Sequence, residues 1–131
     1  MVTLNKSIDE ALIIHLRIIE TMKGPSFWLA DKERRFMVEA IKCVSAGLPL
    51  RSKQTKQLME PAGFNHALYY TYQGLLLDSG WIINNGFKLE NNKSVKDVKL
   101  APFVLAGMPK DNKGNLMLPD AIRYDFEVKV N

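Results

Sequence analysis

The chain has 131 residues, 47% of them apolar, and carries a formal net charge of +4. That length implies one domain with a core of its own, and the lone cysteine, Cys43, excludes an internal disulfide framework and fits a reducing compartment. No apolar run approaches the roughly 20 residues needed to cross a bilayer, and the start MVTLNKSIDE lacks a charged-then-apolar signal pattern, so a cytoplasmic setting with no membrane partner is expected.

Ser7 opens the first predicted helix, and Glu10 three residues later allows a capping box. The helix is expected from about Ile8 to Lys23, ending at Gly24-Pro25. Ile8, Leu12, Leu16, Ile18, Ile19 and Met22 belong to an apolar arc that also holds His15, and Arg17, Glu20 and Thr21 lie opposite. So wide an arc exceeds one core face. It implies clamping between two layers of the chain or contact with a partner, including a second copy of this chain. Pro25-Ser26-Phe27-Trp28 reads as a connector whose two aromatics pin onto the core.

Asp31 is the expected N-cap of a second helix, which repeats Phe36, Met37, Ala40, Ile41 and Val44 at helical spacing and ends at Gly47 and Pro49. Ser52 caps a short third helix with Leu58 and Met59 inward, closed by Pro61 and Gly63. Asn65 caps a fourth helix, expected to turn Leu68, Tyr69, Tyr72, Leu75 and Leu76 inward and to stop at Gly80. Trp81-Ile82-Ile83 then reads as a strand, Asn85-Gly86 as a tight turn, because both residues tolerate positive φ, and Phe87–Glu90 as the returning strand. Residues 91–99 are polar and read as a loop, and residues 101–108 read as a buried strand. Residues 109–115 read as a turn, after which Leu116–Leu118 pairs back. Ile122, Tyr124, Phe126, Val128 and Val130 alternate with charged residues, the period of a half-buried antiparallel strand.

The charge concentrates in residues 51–110, where Arg51, Lys53, Lys56, Lys88, Lys93, Lys96, Lys99 and Lys110 outnumber Glu60, Asp78, Glu90 and Asp97. Such a band suits contact with phosphates, although scattered surface lysines would give the same count. Chemistry finds less support. His15 lies in an apolar arc, His66 near a helix start and Cys43 beside an apolar stripe, so neither a zinc set nor a nucleophile motif forms, and no phosphate-cradling glycine pattern occurs. The expectation is a non-enzymatic protein without cofactor or metal.

Three helical blocks closed by glycines, a Gly63-Phe64 turn, a longer helix with paired tyrosines, and Gly80-Trp81-Ile82 leading to a hairpin resemble a winged helix-turn-helix domain over the middle of the chain. The composition, rich in Lys, Asn and Ile, is also similar to that of small phage-encoded proteins, for which the setting would be host cytoplasm. The fold expected is α+β in a single domain: an N-terminal helix and connector (1–28), the winged helix-turn-helix (29–90) and a small C-terminal antiparallel β extension (91–131).

The resemblance implies double-stranded DNA as partner and a role in regulating transcription or another DNA transaction. Residues 66–79 would be the recognition helix, preceded by Asn65, with Gln73 to bond adenine, Thr71 to meet a thymine methyl and Tyr70 to bond phosphate or stack. Arg51, Lys53, Lys56, Lys88 and Lys93 would contact the backbone. The outward helix face departs from the DNA-binding pattern, since it has no Arg or Lys and carries Asp78. The alternative is an accessory protein docking on a larger machine, such as RNA polymerase or a phage assembly, through Tyr70, Gly74 and Leu77, with an unpaired edge at residues 122–130 extending a partner's sheet.

Overall fold

Ser52 and Asn65 cap helices, and Gly24, Gly47, Gly63 and Gly80 follow helix ends, as the sequence implies. The computed structural model describes residues 2–106, 108, 110, 112–113 and 121–126, and the fold is α+β. Strand β1 (Val2–Ser7) leads directly into helix α1 (Ile8–Lys23), and α2 (Asp31–Ser45), α3 (Lys53–Met59) and α4 (His66–Ser79) follow. A hairpin of β2 (Ile82–Glu90) and β3 (Lys93–Leu100), a single-turn helix α5 (Pro102–Leu105) and β4 (Ala121–Phe126) complete the order. Single 3-10 turns at Pro25–Phe27 and Glu60–Ala62 sit in the connections.

Helix α1 buries Ala11, Leu12, Leu16 and Ile19 against α2, α5 and the paired β1 and β4. Two layers of the chain do hold it, but the buried stripe is narrower than expected, and Ile18 and Met22 are exposed. Glu20, expected on the polar side, is buried. Its Oε2 accepts from Arg34 Nε at 2.9 Å, and its Oε1 accepts from Arg34 Nη2 and from the Leu29 N–H, both at 2.8 Å. Helix α2 starts one residue earlier than expected. Ala30 is the N-cap, whose N–H donates to Glu33 Oε1 at 2.8 Å, and Asp31 is the first helical residue.

The core lies between α1, α2, α4 and the base of the hairpin. Trp81 is fully buried, donates from Nε1 to the Phe27 carbonyl at 3.1 Å, and meets the Phe103 ring edge-on at 5.3 Å. Gly80, at φ 89°, turns the chain out of α4 so that the Trp81 N–H returns to the Leu76 carbonyl at 3.0 Å. Phe36 packs on Phe64, Tyr69 and Tyr72 with centroids 5.2–6.2 Å apart. Trp28 is not pinned; it is 65% exposed. Leu58, expected inward, is exposed as well, leaving Thr55 and Met59 as the buried side of α3.

The hairpin differs most from expectation. Asn85-Gly86 is not its turn. Asn84 pairs with Val98 and Phe87 with Lys96, so two β2 residues stand opposite Asp97 alone, as a bulge. Gly86 supplies the positive φ of 88°, and Asn85 Nδ2 donates to Asp97 Oδ2 at 3.0 Å. The chain reverses instead at Asn91-Asn92, with φ of 51° and 63°, the left-handed pair of a two-residue hairpin. Residues 93–99, expected as loop, therefore form β3, and the β extension assigned to the C-terminal segment begins inside the hairpin. Residues 101–108 contain α5 rather than a strand, because Pro102 favours the first helical position.

The C-terminal strand is present as β4, but its edge is not free on both sides. It pairs antiparallel with β1 from Val2↔Phe126 to Ser7↔Ala121, a strand absent from the sequence expectation. The expected pairing at Leu116–Leu118, residues 127–130 of the final strand and the Ser7 side chain of the capping box lie outside the described residues.

Candidate nucleic-acid interface

The link from α2 to α3 is held from both ends. Ser52 Oγ accepts from the Thr55 N–H at 3.0 Å, and the buried Thr55 hydroxyl donates to the Pro49 carbonyl at 2.7 Å. This fixes Arg51 just before α3, Lys53 at its first position and Lys56 one turn later on the same side. On α4, Asn65 Oδ1 accepts from the Leu68 N–H at 3.0 Å, so the side chain expected to meet nucleic acid serves as a cap. With Tyr69 buried in the core, Tyr70 projects from the flank of α4 toward α3.

Arg51, Lys53, Lys56 and Tyr70 line an open cleft of about 310 Å³ whose other wall is Asn91, Lys93 and Val95 of the hairpin. No carboxylate among the described side chains lines it, and none of the four cations forms an ion pair with a described carboxylate. Lys56 Nζ donates to Tyr70 Oη at 3.0 Å and lies 5.1 Å from the ring centroid, while the Arg51 guanidinium lies 5.5 Å from it. The hydrogen bond from Lys56 outweighs partial burial and, with Arg51, holds the Tyr70 phenol below its ordinary value. His66 meets the Tyr70 ring edge-on with centroids 5.0 Å apart. Four cations with no described carboxylate among them repel each other around one opening, a cost that an anion relieves.

Not every expected site residue joins this cleft. Lys88 is half-buried at a second cleft of about 430 Å³, lined mainly by Val44, Leu48, Leu50, Leu100 and Leu105. Thr71 is exposed on α4, its hydroxyl bonded to the Ala67 carbonyl at 3.0 Å. Gln73, expected to point outward, is 5% exposed, and its Nε2 has no hydrogen-bond partner among the described residues. A side chain so enclosed cannot reach a base edge. Leu77 packs on the core and Gly74 is half-buried, so with Tyr70 they form no outward patch, and Leu75 is exposed in their place. The helix is rotated by roughly 60° from the expected orientation.

The residues missed were Asn91 and Val95, which complete the cleft, and the exposed Phe87 and Leu89 on β2. Asn91-Asn92 is a turn dipeptide that tolerates positive φ, and this was the signal available.

Elsewhere, His15 Nε2 bonds the Val104 carbonyl at 2.7 Å, and burial pushes the Cys43 thiol up. Among the described residues, no three His, Cys, Asp or Glu are grouped to hold a metal, and no helix is long and apolar enough to cross a membrane. Comparisons with models of known families, with curated proteins and with solved structures find no match.

Proposed function

We propose that this chain is a non-enzymatic DNA-binding protein of winged-helix type, acting in transcription or another DNA transaction. Helices α2, α3 and α4 form the helical unit, and β2–β3 forms the wing. The observation that carries the reading is the cleft where Arg51, Lys53, Lys56 and Lys93 meet without a described carboxylate. Its walls come from α3, α4 and the wing, with cations on both sides of the opening to meet phosphates. Affinity then comes from phosphates, and any base preference falls to Ala67 and Thr71, both exposed on α4.

Measuring affinity for a short duplex across a salt series tests this. Replacing Lys53→Ala with Lys56→Ala weakens binding and lowers the salt slope by up to about 2, since each phosphate contact contributes about 0.9. A wild-type chain that binds no duplex at low salt defeats the reading.

A second reading is favoured by the absence of Arg and Lys on the outer face of α4 and by Leu75, 47% exposed there. On it, α4 docks on a protein partner within a larger assembly. Leu75→Asp then removes that docking and leaves duplex affinity unchanged. We also propose that two copies pair through Ile18 and Met22, exposed four residues apart on α1.

A further inference from the structure

The hairpin outgrows the body it is attached to. Its base is anchored by Ile82, Val98 and Leu100, all buried. Beyond the bulge come four further pairs, from Phe87↔Lys96 to Glu90↔Lys93, a projection of roughly 10 Å. Within it, Lys88 and Val95 face each other and are half-buried toward the body, whereas Phe87 and Leu89 are 68% and 80% exposed. Alternation along the strand puts Phe87 and Leu89 on one face, with Lys96 and Ser94 directly across from them. An isolated exposed apolar residue is ordinary. A Phe and a Leu side by side on the outer face of a projecting ribbon, beside an exposed lysine, are not explained by the fold, since neither contributes to the core.

We infer that Phe87 and Leu89 form an apolar wedge that enters the duplex from the minor groove, parts one base step and bends the DNA. The inference rests on the reading of the cleft as a duplex-phosphate site. Charge selects this occupant. Lys96 stands on the apolar pair's own face, directly across from Phe87, Lys93 lies on the cleft face of the same ribbon, and Asp97 is engaged by Asn85. Lysine is depleted from the cores of protein interfaces, whereas ribbons that bend DNA combine cations for the backbone with apolar side chains for the stack. The bulge increases the local twist and aims the distal pairs away from the base.

The test uses the full chain and a duplex of about 25 base pairs with a central TA step, carrying end labels for energy transfer and 2-aminopurine at the step. Wild-type protein is expected to raise both energy transfer and 2-aminopurine emission. Phe87→Ala with Leu89→Ala loses both signals and about tenfold in affinity, but retains the salt slope, which the cleft sets. Phe87→Leu keeps the bend, and Phe87→Gln loses it. Both side chains are exposed, so the circular dichroism melt of the double variant matches wild type. Wild-type binding that leaves the duplex straight and the probe quenched overturns the wedge while the cleft reading stands, as does a double variant that still bends. Absence of any salt-dependent duplex binding by the wild type removes the cleft reading and the wedge together. Unchanged bending with a lost protein–protein contact in the double variant assigns the pair to a protein partner and overturns the inference.

Discussion

Glu20 and Arg34 bind one another through two hydrogen bonds, and the same carboxylate takes the Leu29 N–H. Arg34 also donates to the Leu29 carbonyl at 2.9 Å, so one pair ties α1, the connector and α2 together. Burial alone raises the Glu20 pKa, but the bonds from Arg34 and Leu29 and the nearby positive charge prevail and hold it below the usual carboxylate range. A lowered folded value means stabilisation that is complete above the unfolded carboxylate pKa and lost as pH falls through the folded one. Arg34→Ala leaves a buried carboxylate without its partner and is expected to cost about 3–5 kcal/mol. Urea melts at neutral pH check this. In Glu20→Gln the acid-side decline in stability becomes shallower; an unaltered decline would show that the pair does not set it. Sequence periodicity placed Glu20 on the solvent side, because an acid on a helix is ordinarily solvated. What reversed that placement is an arginine 14 residues away, a pairing that periodicity cannot register.

At the scale of elements, helix limits were legible and helix faces were not. Ser52, Asn65 and Gly80 work as caps and stops through local hydrogen bonds, which depend on neighbours in sequence alone. The orientation of α4 depends on packing. Leu68, Leu75, Leu76 and Leu77 with three tyrosines make it apolar nearly all round, so no stripe marks the inner side and the buried Gln73 was assigned outward. The hairpin failed for a related reason. Its distal half has solvent on one face and a cleft on the other, so β3 shows no clean alternation and read as loop, and Asn85-Gly86, the stronger turn dipeptide, was given the reversal that Asn91-Asn92 makes. Cross-strand register decides between them. The assignment of Asn91-Asn92 predicts that Asn92→Ala, forcing an alanine to positive φ, costs about 1 kcal/mol. Amide exchange should accelerate across the distal pairs, with Trp81 and Ile82 still protected. Uniform acceleration over the whole hairpin would mean that its two halves open as one unit.

For the whole molecule, the pairing of β1 with β4 closes the chain on itself, since Val2 lies opposite Phe126. Helix α1 is thereby held from the sheet side as well as from α2, and the part of its arc that neither layer covers carries Ile18 and Met22. Trp28, exposed just after the helix, lies instead beside Arg17 and Thr21. Ile18 and Met22 are not among the residues of the cleft between α3, α4 and the β2–β3 hairpin. Two copies meeting there would each retain an open cationic cleft and could engage a duplex at two places. The arrangement predicts a mass that rises with concentration in light scattering. Ile18→Glu with Met22→Glu should abolish that rise without lowering the melting temperature, because both side chains are exposed. The salt slope per chain should be unchanged, since no cation of the cleft is altered, while apparent duplex affinity falls through lost avidity. A wild-type mass that stays monomeric at high protein concentration would exclude pairing through α1.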